Sequence, residues 1–240
     1  MTDWLTRTEL LLDTEMLNKL KNANVLVVGL GGVGAYAAEM ICRAGVGAMT
    51  IVDGDKIHAT NRNRQLPALK STEGLGKAEV MGLRLMDINP DLKLSVIQEY
   101  IKDDRMIEII EKRFDYVVDA IDTLSPKIFL IYHTVQRNLP LVSSMGAGGK
   151  FDPERVSICD ISETTDCSLA RILRKRLHRL GIRDGFTAVY SPEQIDKAKI
   201  IATNGEQNKA SIVGTISYMP AAFGIACASV VIRDLTGIKR

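Results

Sequence analysis

Asn24-Val-Leu-Val-Val-Gly29-Leu-Gly31-Gly32-Val-Gly34, together with Asp53-Gly-Asp55 and Asn61-Arg-Asn63-Arg64-Gln65, is the part of this chain that decides its fold. The run from Val25 to Val28 is apolar, short and β-branched, as a buried strand is. Gly29, Gly31 and Gly34 mark a tight turn that opens a helix at about Val33. Such a turn offers backbone N–H groups to an anion, and the helix dipole adds partial positive charge. A second strand over 49–52 ends at Asp53, where an acid of a nucleotide-binding sheet meets a ribose hydroxyl. The ligand this predicts is an adenine nucleotide.

The residues beyond that acid decide which nucleotide. A nicotinamide-dependent dehydrogenase uses the glycine turn and Asp53 but gains nothing from Asn61, Arg64 and Gln65 just downstream. Adenylyl transfer does, because a carboxylate attacking an α-phosphate brings like charges together. At ~4 Å and an effective dielectric of ~20, each pair of unit charges repels by roughly 4 kcal/mol, so fixed cations must converge there. Arg64 and Lys77 are the local candidates. A metal would take a further share of the charge, and Asp122, at the end of Tyr116-Val-Val-Asp119-Ala-Ile-Asp122, lies where an open parallel sheet puts its ligand-binding residues. Asp119 reads as a brace at the strand end.

The set Gly29-x-Gly31-Gly32-x-Gly34, Asp53-x-Asp55, Asn61-x-x-Arg64-Gln65, Gly76-Lys77 and Asp119-x-x-Asp122 resembles the ubiquitin-activating-like adenylating superfamily, whose members activate a carboxylate with ATP and magnesium. Further segments resemble the branch that dehydrates and cyclises threonylcarbamoyladenosine in tRNA. These are Gly76-Lys-Ala-Glu-Val-Met81, Ile88-Asn-Pro90, Gly146-Ala-Gly-Gly149 before Asp152-Pro153, and a basic segment over 171–179. The resemblance implies Asp53 on the ribose, Asn61, Arg64 and Lys77 on the triphosphate, and Asp122 on Mg2+. It also implies an N-terminal arginine, Arg7, reaching across a homodimer into the partner's site. The nucleotide-binding set is thus Gly29, Gly31, Gly32, Gly34, Asp53, Asp55, Asn61, Arg64, Gln65, Lys77 and Asp122, with Arg7, Arg64, Lys77 and Asp122 as catalytic candidates. The alternative activity is adenylation of the C-terminus of a ubiquitin-like sulfur-carrier protein. Relatives of that kind commonly carry paired Cys-x-x-Cys zinc ligands, and this chain has no Cys-x-x-Cys. Some members of the dehydratase branch have a cysteine where this chain has Lys209-Ala210.

At 240 residues and 46% hydrophobic content the chain reads as one α/β domain over 1–240: Rossmann-like, doubly wound, with a mainly parallel sheet and an antiparallel C-terminal extension. A helical arm over 1–23 precedes the glycine turn. Helices are expected over 77–88 and 103–112, and another from a Ser125-Pro126 cap to about 138. Strands are expected over 94–98, 116–120, 139–144, 156–161 and 211–218. Residues 185–207 read as the loop or mobile part of a segment over 166–210. The uncharged stretch 211–232 is long enough to cross a bilayer on count alone. Its β-branched start, Pro220 and small-residue helix read instead as a strand and helix of the core, without a membrane span. Four cysteines lack zinc or disulfide-scaffold spacing, and no basic, then apolar, leader opens the chain, so it reads as cytoplasmic.

Net charge is +2, but its distribution is uneven. No acid lies between Asp166 and Asp184, while Arg171, Arg174, Lys175, Arg176, Arg179 and Arg183 are all cationic, on a segment whose leucines and isoleucine repeat at helical spacing. This predicts an amphipathic helix whose basic face is either merely solvated or, with Arg171, Arg174, Lys175 and Arg179, bound to tRNA phosphate. Gly146 to Gly149 either only make a turn or let a base approach the backbone. The partners this reading admits are tRNA, a second copy of the chain and a sulfur-transfer protein. His58, His133 and His178 share no spacing and read as packed or surface residues.

Overall fold

The computed structural model describes residues 3–202 and 211–238, so the Lys209-Ala210 position lies outside the described residues. The arm is two helices, α1 (Thr6–Leu12) and α2 (Thr14–Asn22). They part at Asp13, which takes a positive φ of 70° and caps α2 by accepting a hydrogen bond from Met16 N. Leu5 and Leu17 anchor the arm beside Gly45, whose positive φ leaves no room for a side chain against them.

The sheet has seven strands, β1 (Asn24–Val28), β2 (Ala48–Val52), β3 (Lys93–Ile97), β4 (Tyr116–Asp119), β5 (Leu141–Ser144), β6 (Ser157–Asp160) and β7 (Thr187–Tyr190). Of these, β1, β2 and β4 are the buried, mostly apolar runs expected where both faces are covered, whereas the edge strands β3 and β6 are more polar and exposed. The strand order is β3-β2-β1-β4-β5-β7-β6, all parallel except β6, which runs antiparallel to β7 at one edge. The order reverses between β1 and β4, and ligands of such sheets bind at that point, outside the carboxyl ends of the strands. Helices α3 (Gly34–Arg43), α4 (Lys77–Ile88) and α8 (Tyr218–Thr236) pack with α2 on one face. Helices α5 (Asp103–Ile110), α6 (Leu124–Gln136) and α7 (Ser168–Arg179) cover the other.

Four local expectations are corrected. Residues 185–207 are not simply a loop: β7 lies within them and is an interior strand of the sheet. The strand expected over 211–218 is only β9 (Ser211–Val213), which pairs with β8 (Ile200–Ala202) in a separate antiparallel hairpin instead of joining the sheet. Ser125 does not cap α6. The helix starts two residues earlier, at Leu124 after Thr123, and Ser125 and Pro126 both sit in its first turn, where a missing N–H costs nothing. Pro220 likewise sits inside the first turn of α8 instead of breaking the chain before it. By length and composition α8 could cross a membrane, yet half of it is buried within the fold, and Gly224 lets it lie directly against the Val33 carbonyl and Tyr36 of α3.

Candidate active site

Each glycine of the turn after β1 has its own reason. Gly29 takes a positive φ of 89° and lies so close to β4 that a β-carbon would sit 2.7 Å from the Ala120 carbonyl oxygen. Any side chain on Gly34 would strike the Gly29 carbonyl, and one on Gly32 would sit 2.8 Å from Pro220 of α8. Gly31 differs. A β-carbon there would meet nothing nearer than the Gln65 amide, 3.6 Å away, so packing does not require the glycine. Gly31 is thus the part of the turn with open space beside its backbone.

Asp53, at the end of β2, ties the turn in place. Its Oδ2 accepts from Leu30 N at 2.6 Å and its Oδ1 from Asp55 N at 2.7 Å. Burial raises its pKa above the ordinary value, against the opposing charge of Lys77 and those two backbone donors. Lys77, the first residue of α4 and 4% exposed, pairs with Asp55 at 2.6 Å. The Tyr100 hydroxyl donates to the other Asp55 oxygen at 2.5 Å, which together with burial pushes its own pKa up to about 12. Gln98 holds the same corner by donating to the Asp55 carbonyl and accepting from Ala78 N.

Asn61 is buried and uses its Oδ1 to accept from His58 N. This closes the short turn that delivers Arg64 and Gln65. Arg64 is half-buried. It donates to the Thr60 carbonyl at 3.0 Å and to Asn63 Oδ1 at 2.8 Å, and makes no carboxylate ion pair among the described residues. Burial lowers its pKa, and the negative charge of Asp122 works in the other direction. Gln65 Oε1 is buried without a hydrogen-bond partner, beside the turn. Asp122 is exposed, just past β4. Asp53, Asp55, Asn61, Arg64, Gln65, Lys77 and Asp122 thus converge on one end of the sheet around Gly31.

The segment 214–217 runs over this end on its way to α8. Its Thr215 carbonyl accepts from Asn63 Nδ2 at 3.0 Å, and Gly214 accepts from Gly149 N at 2.8 Å. Gly148 and Gly149 have packing reasons, against Val213 and Ile195 respectively, whereas Gly146 has only Leu169 within 4 Å. Among the described residues no group of three or more His, Cys, Asp and Glu side chains could hold a metal. One carboxylate is nevertheless what Mg2+ asks of a protein when phosphates supply its other ligands.

Two expected features stand apart from this cluster. Arg7 is exposed on α1. On α7, Arg171, Lys175 and Arg179 are exposed and recur every fourth residue along one face, while Ala170, Leu173 and Leu177 are buried. Arg174 turns inward instead and donates to the Thr164 carbonyl at 2.7 Å and to the Thr164 hydroxyl. Sequence reading missed Gln98, Tyr100 and Lys127. The first two reach the site only because β3 pairs with β2. Lys127 carried a signal in retrospect, as a lone cation opening the apolar run Ile128-Phe-Leu-Ile131.

The ThiF family matches residues 6–240. A tRNA threonylcarbamoyladenosine dehydratase of Bacillus subtilis (strain 168) is 42% identical over 188 residues, 78% of this chain and 74% of that protein. The enzyme of the same name from Escherichia coli (strain K12) is 41% identical over 161 residues, 67% of this chain and 60% of that protein. A crystal structure of E. coli tRNA N6-threonylcarbamoyladenosine dehydratase in complex with ATP superposes with a TM-score of 0.88 at 32% identity, covering 99% of this chain and 97% of that one.

Proposed function

Since the chain belongs to the ThiF family, we propose that it is an ATP-dependent tRNA threonylcarbamoyladenosine dehydratase that works through a carboxyl adenylate. The observation that carries this reading is the convergence of Arg64, Lys77, Asp53 and Asp122 around the open backbone of Gly31. Two cations and, with Asp55, three carboxylates meet there at the switch point of the sheet, a charge set suited to a phosphate accompanied by a metal ion.

The ribose of ATP meets Asp53, whose carboxylate oxygens keep lone pairs beyond their two backbone bonds. Gly31 and the start of α3 face the phosphates. Lys77 exchanges its Asp55 partner for phosphate oxygens, and Arg64 adds a planar donor set. Asp122 would hold the magnesium ion that accompanies ATP, which supplies charge neutralisation at the phosphates. With repulsion reduced in this way, the threonyl carboxylate of the modified adenosine attacks the α-phosphate and pyrophosphate leaves. A nitrogen or oxygen of the substrate's own carbamoyl arm then attacks the activated carbonyl, closes the ring and expels AMP. In that intramolecular step, proximity alone contributes roughly 7–11 kcal/mol. No enzyme nucleophile is needed.

Arg7 completes the charge set from the second subunit of a homodimer, and the basic face of α7 takes tRNA phosphate, so the enzyme works in the cytoplasm where tRNA is modified. The sulfur-carrier alternative is not favoured: both relatives described above are tRNA dehydratases, and zinc-ligand Cys-x-x-Cys pairs are absent from the sequence. The test is incubation with ATP, Mg2+ and either threonylcarbamoyladenosine-containing tRNA or a carrier protein with a free Gly-Gly end. AMP release should depend on the tRNA. Release that depends on the carrier protein alone refutes the reading.

A further inference from the structure

Lys127 is a buried cation that neither nucleotide binding nor adenylation uses directly. On α6 it has no exposed surface, and its ammonium lies 2.8 Å from Asp119 Oδ2, which is equally buried at the end of β4. It also donates to the Ile121 carbonyl at 3.1 Å. Asp119 accepts from Ser143 Oγ of β5 at 2.6 Å and from Ile121 N at 3.1 Å. Both backbone groups of Ile121, the residue before Asp122, are therefore held by this pair. Ala120, between them, is the residue on which Gly29 rests. Cys227 of α8 lies near both charges, but burial pushes its thiol up to about 12, so it brings no charge of its own at neutral pH.

A buried ion pair is costly to desolvate, and well-packed neutral residues of similar volume are often as stable or more so. Stability alone does not account for it here. We propose that Lys127 and Asp119 are positioning residues: they fix the 119–123 turn so that Asp122 faces the nucleotide phosphates in the orientation that adenylation requires. This deepens the adenylation reading and rests on it. The glycine turn has its own ties, Gly29 N to the Val52 carbonyl at 2.8 Å and Leu30 N to Asp53, so ATP affinity is separable from the placement of Asp122.

The experiment replaces the pair by neutral groups of similar size, Lys127→Met with Asp119→Asn, and measures thermal midpoint, ATP affinity by calorimetry without Mg2+, where Asp122 has no ion to hold, and kcat with modified tRNA and Mg2+. The midpoint should not fall and ATP affinity should stay as in wild type, while kcat drops about 10²-fold, as a misplaced functional group costs. A wild-type kcat overturns the proposal, and so does a kcat that falls only in step with the folded fraction. If the double variant does not fold, Ser143→Ala removes one tie to Asp119 and leaves the ion pair. It should lower kcat in folded, ATP-binding protein, and an unchanged kcat overturns the proposal. Wild-type protein that consumes no ATP with modified tRNA refutes the adenylation reading itself, and this inference with it.

Discussion

Residue by residue, the site is a set of charges already satisfied before a nucleotide arrives. Lys77 rests on Asp55 through a short, partly buried contact, and Arg64 on a carbonyl and an amide through exposed ones. Lys77→Ala and Arg64→Ala should each lower the adenylation rate by about 10²-fold or more, the usual effect of removing a fixed donor from a developing charge. Circular dichroism should show the fold intact. Near-normal turnover in both would mean that the phosphates bind elsewhere. Most of this set was legible in the sequence, because Asp53, Asn61, Arg64, Lys77 and Asp122 lie within a few residues of strand ends or helix starts that local pattern locates. Tyr100 and Lys127 were not. Their roles come from strand pairing and from a helix laid over the sheet, which no local window contains.

Among the elements, α7 turns Arg174 inward and leaves Arg171, Lys175 and Arg179 exposed. Neutralising Arg171, Lys175 and Arg179 together should weaken tRNA binding and flatten its dependence on salt, because fewer counterions are displaced. ATP binding should be unchanged. If affinity and salt slope both persist, the face is only solvated. Arg174→Ala should act differently, lowering stability by roughly 1–3 kcal/mol because buried acceptors at Thr164 lose their donor. The joint between α3 and α4 gives a pH prediction. Glu39 is buried. Burial by itself would raise its pKa, but hydrogen bonds from Arg84 and Arg43 outweigh it and hold the carboxyl below the usual 4.5. A depressed carboxylate stabilises above its unfolded pKa and loses that contribution as pH falls through the folded one. Wild type should therefore lose stability relative to Glu39→Gln as pH drops below about 4.5, the two melting curves converging. A gap that persists at low pH would show that packing, not charge, matters there. Element prediction succeeded where apolar periodicity was strong, as in β1, β4 and α4. It failed at β7, where Thr187-Ala-Val-Tyr190 is four residues inside a polar stretch. That strand is held by its ladders to β5 on one side and β6 on the other, partners distant in sequence.

Across the molecule, α1 extends from the body with Leu10 and Leu11 more than four-fifths exposed beside Arg7. A second copy of the chain covering them would fit the dimer proposed from Arg7. Arg7→Ala should be inactive yet folded, and mixing it with Lys77→Ala should restore part of the activity, since one site of a mixed dimer has both groups. Light scattering that finds only an active monomer contradicts this arrangement. The position of α8 has a consequence of another kind. Pro220 presses on Gly32 and Gly224 on Val33, so the phosphate turn, formed near the start of the chain, is braced by residues near its far end. During synthesis the ribosome releases Gly32 long before Pro220. A nascent chain that has reached Asp122 therefore carries the proposed nucleotide-contacting residues without the wall that shapes the turn, and competence to consume ATP waits on the synthesis of α8.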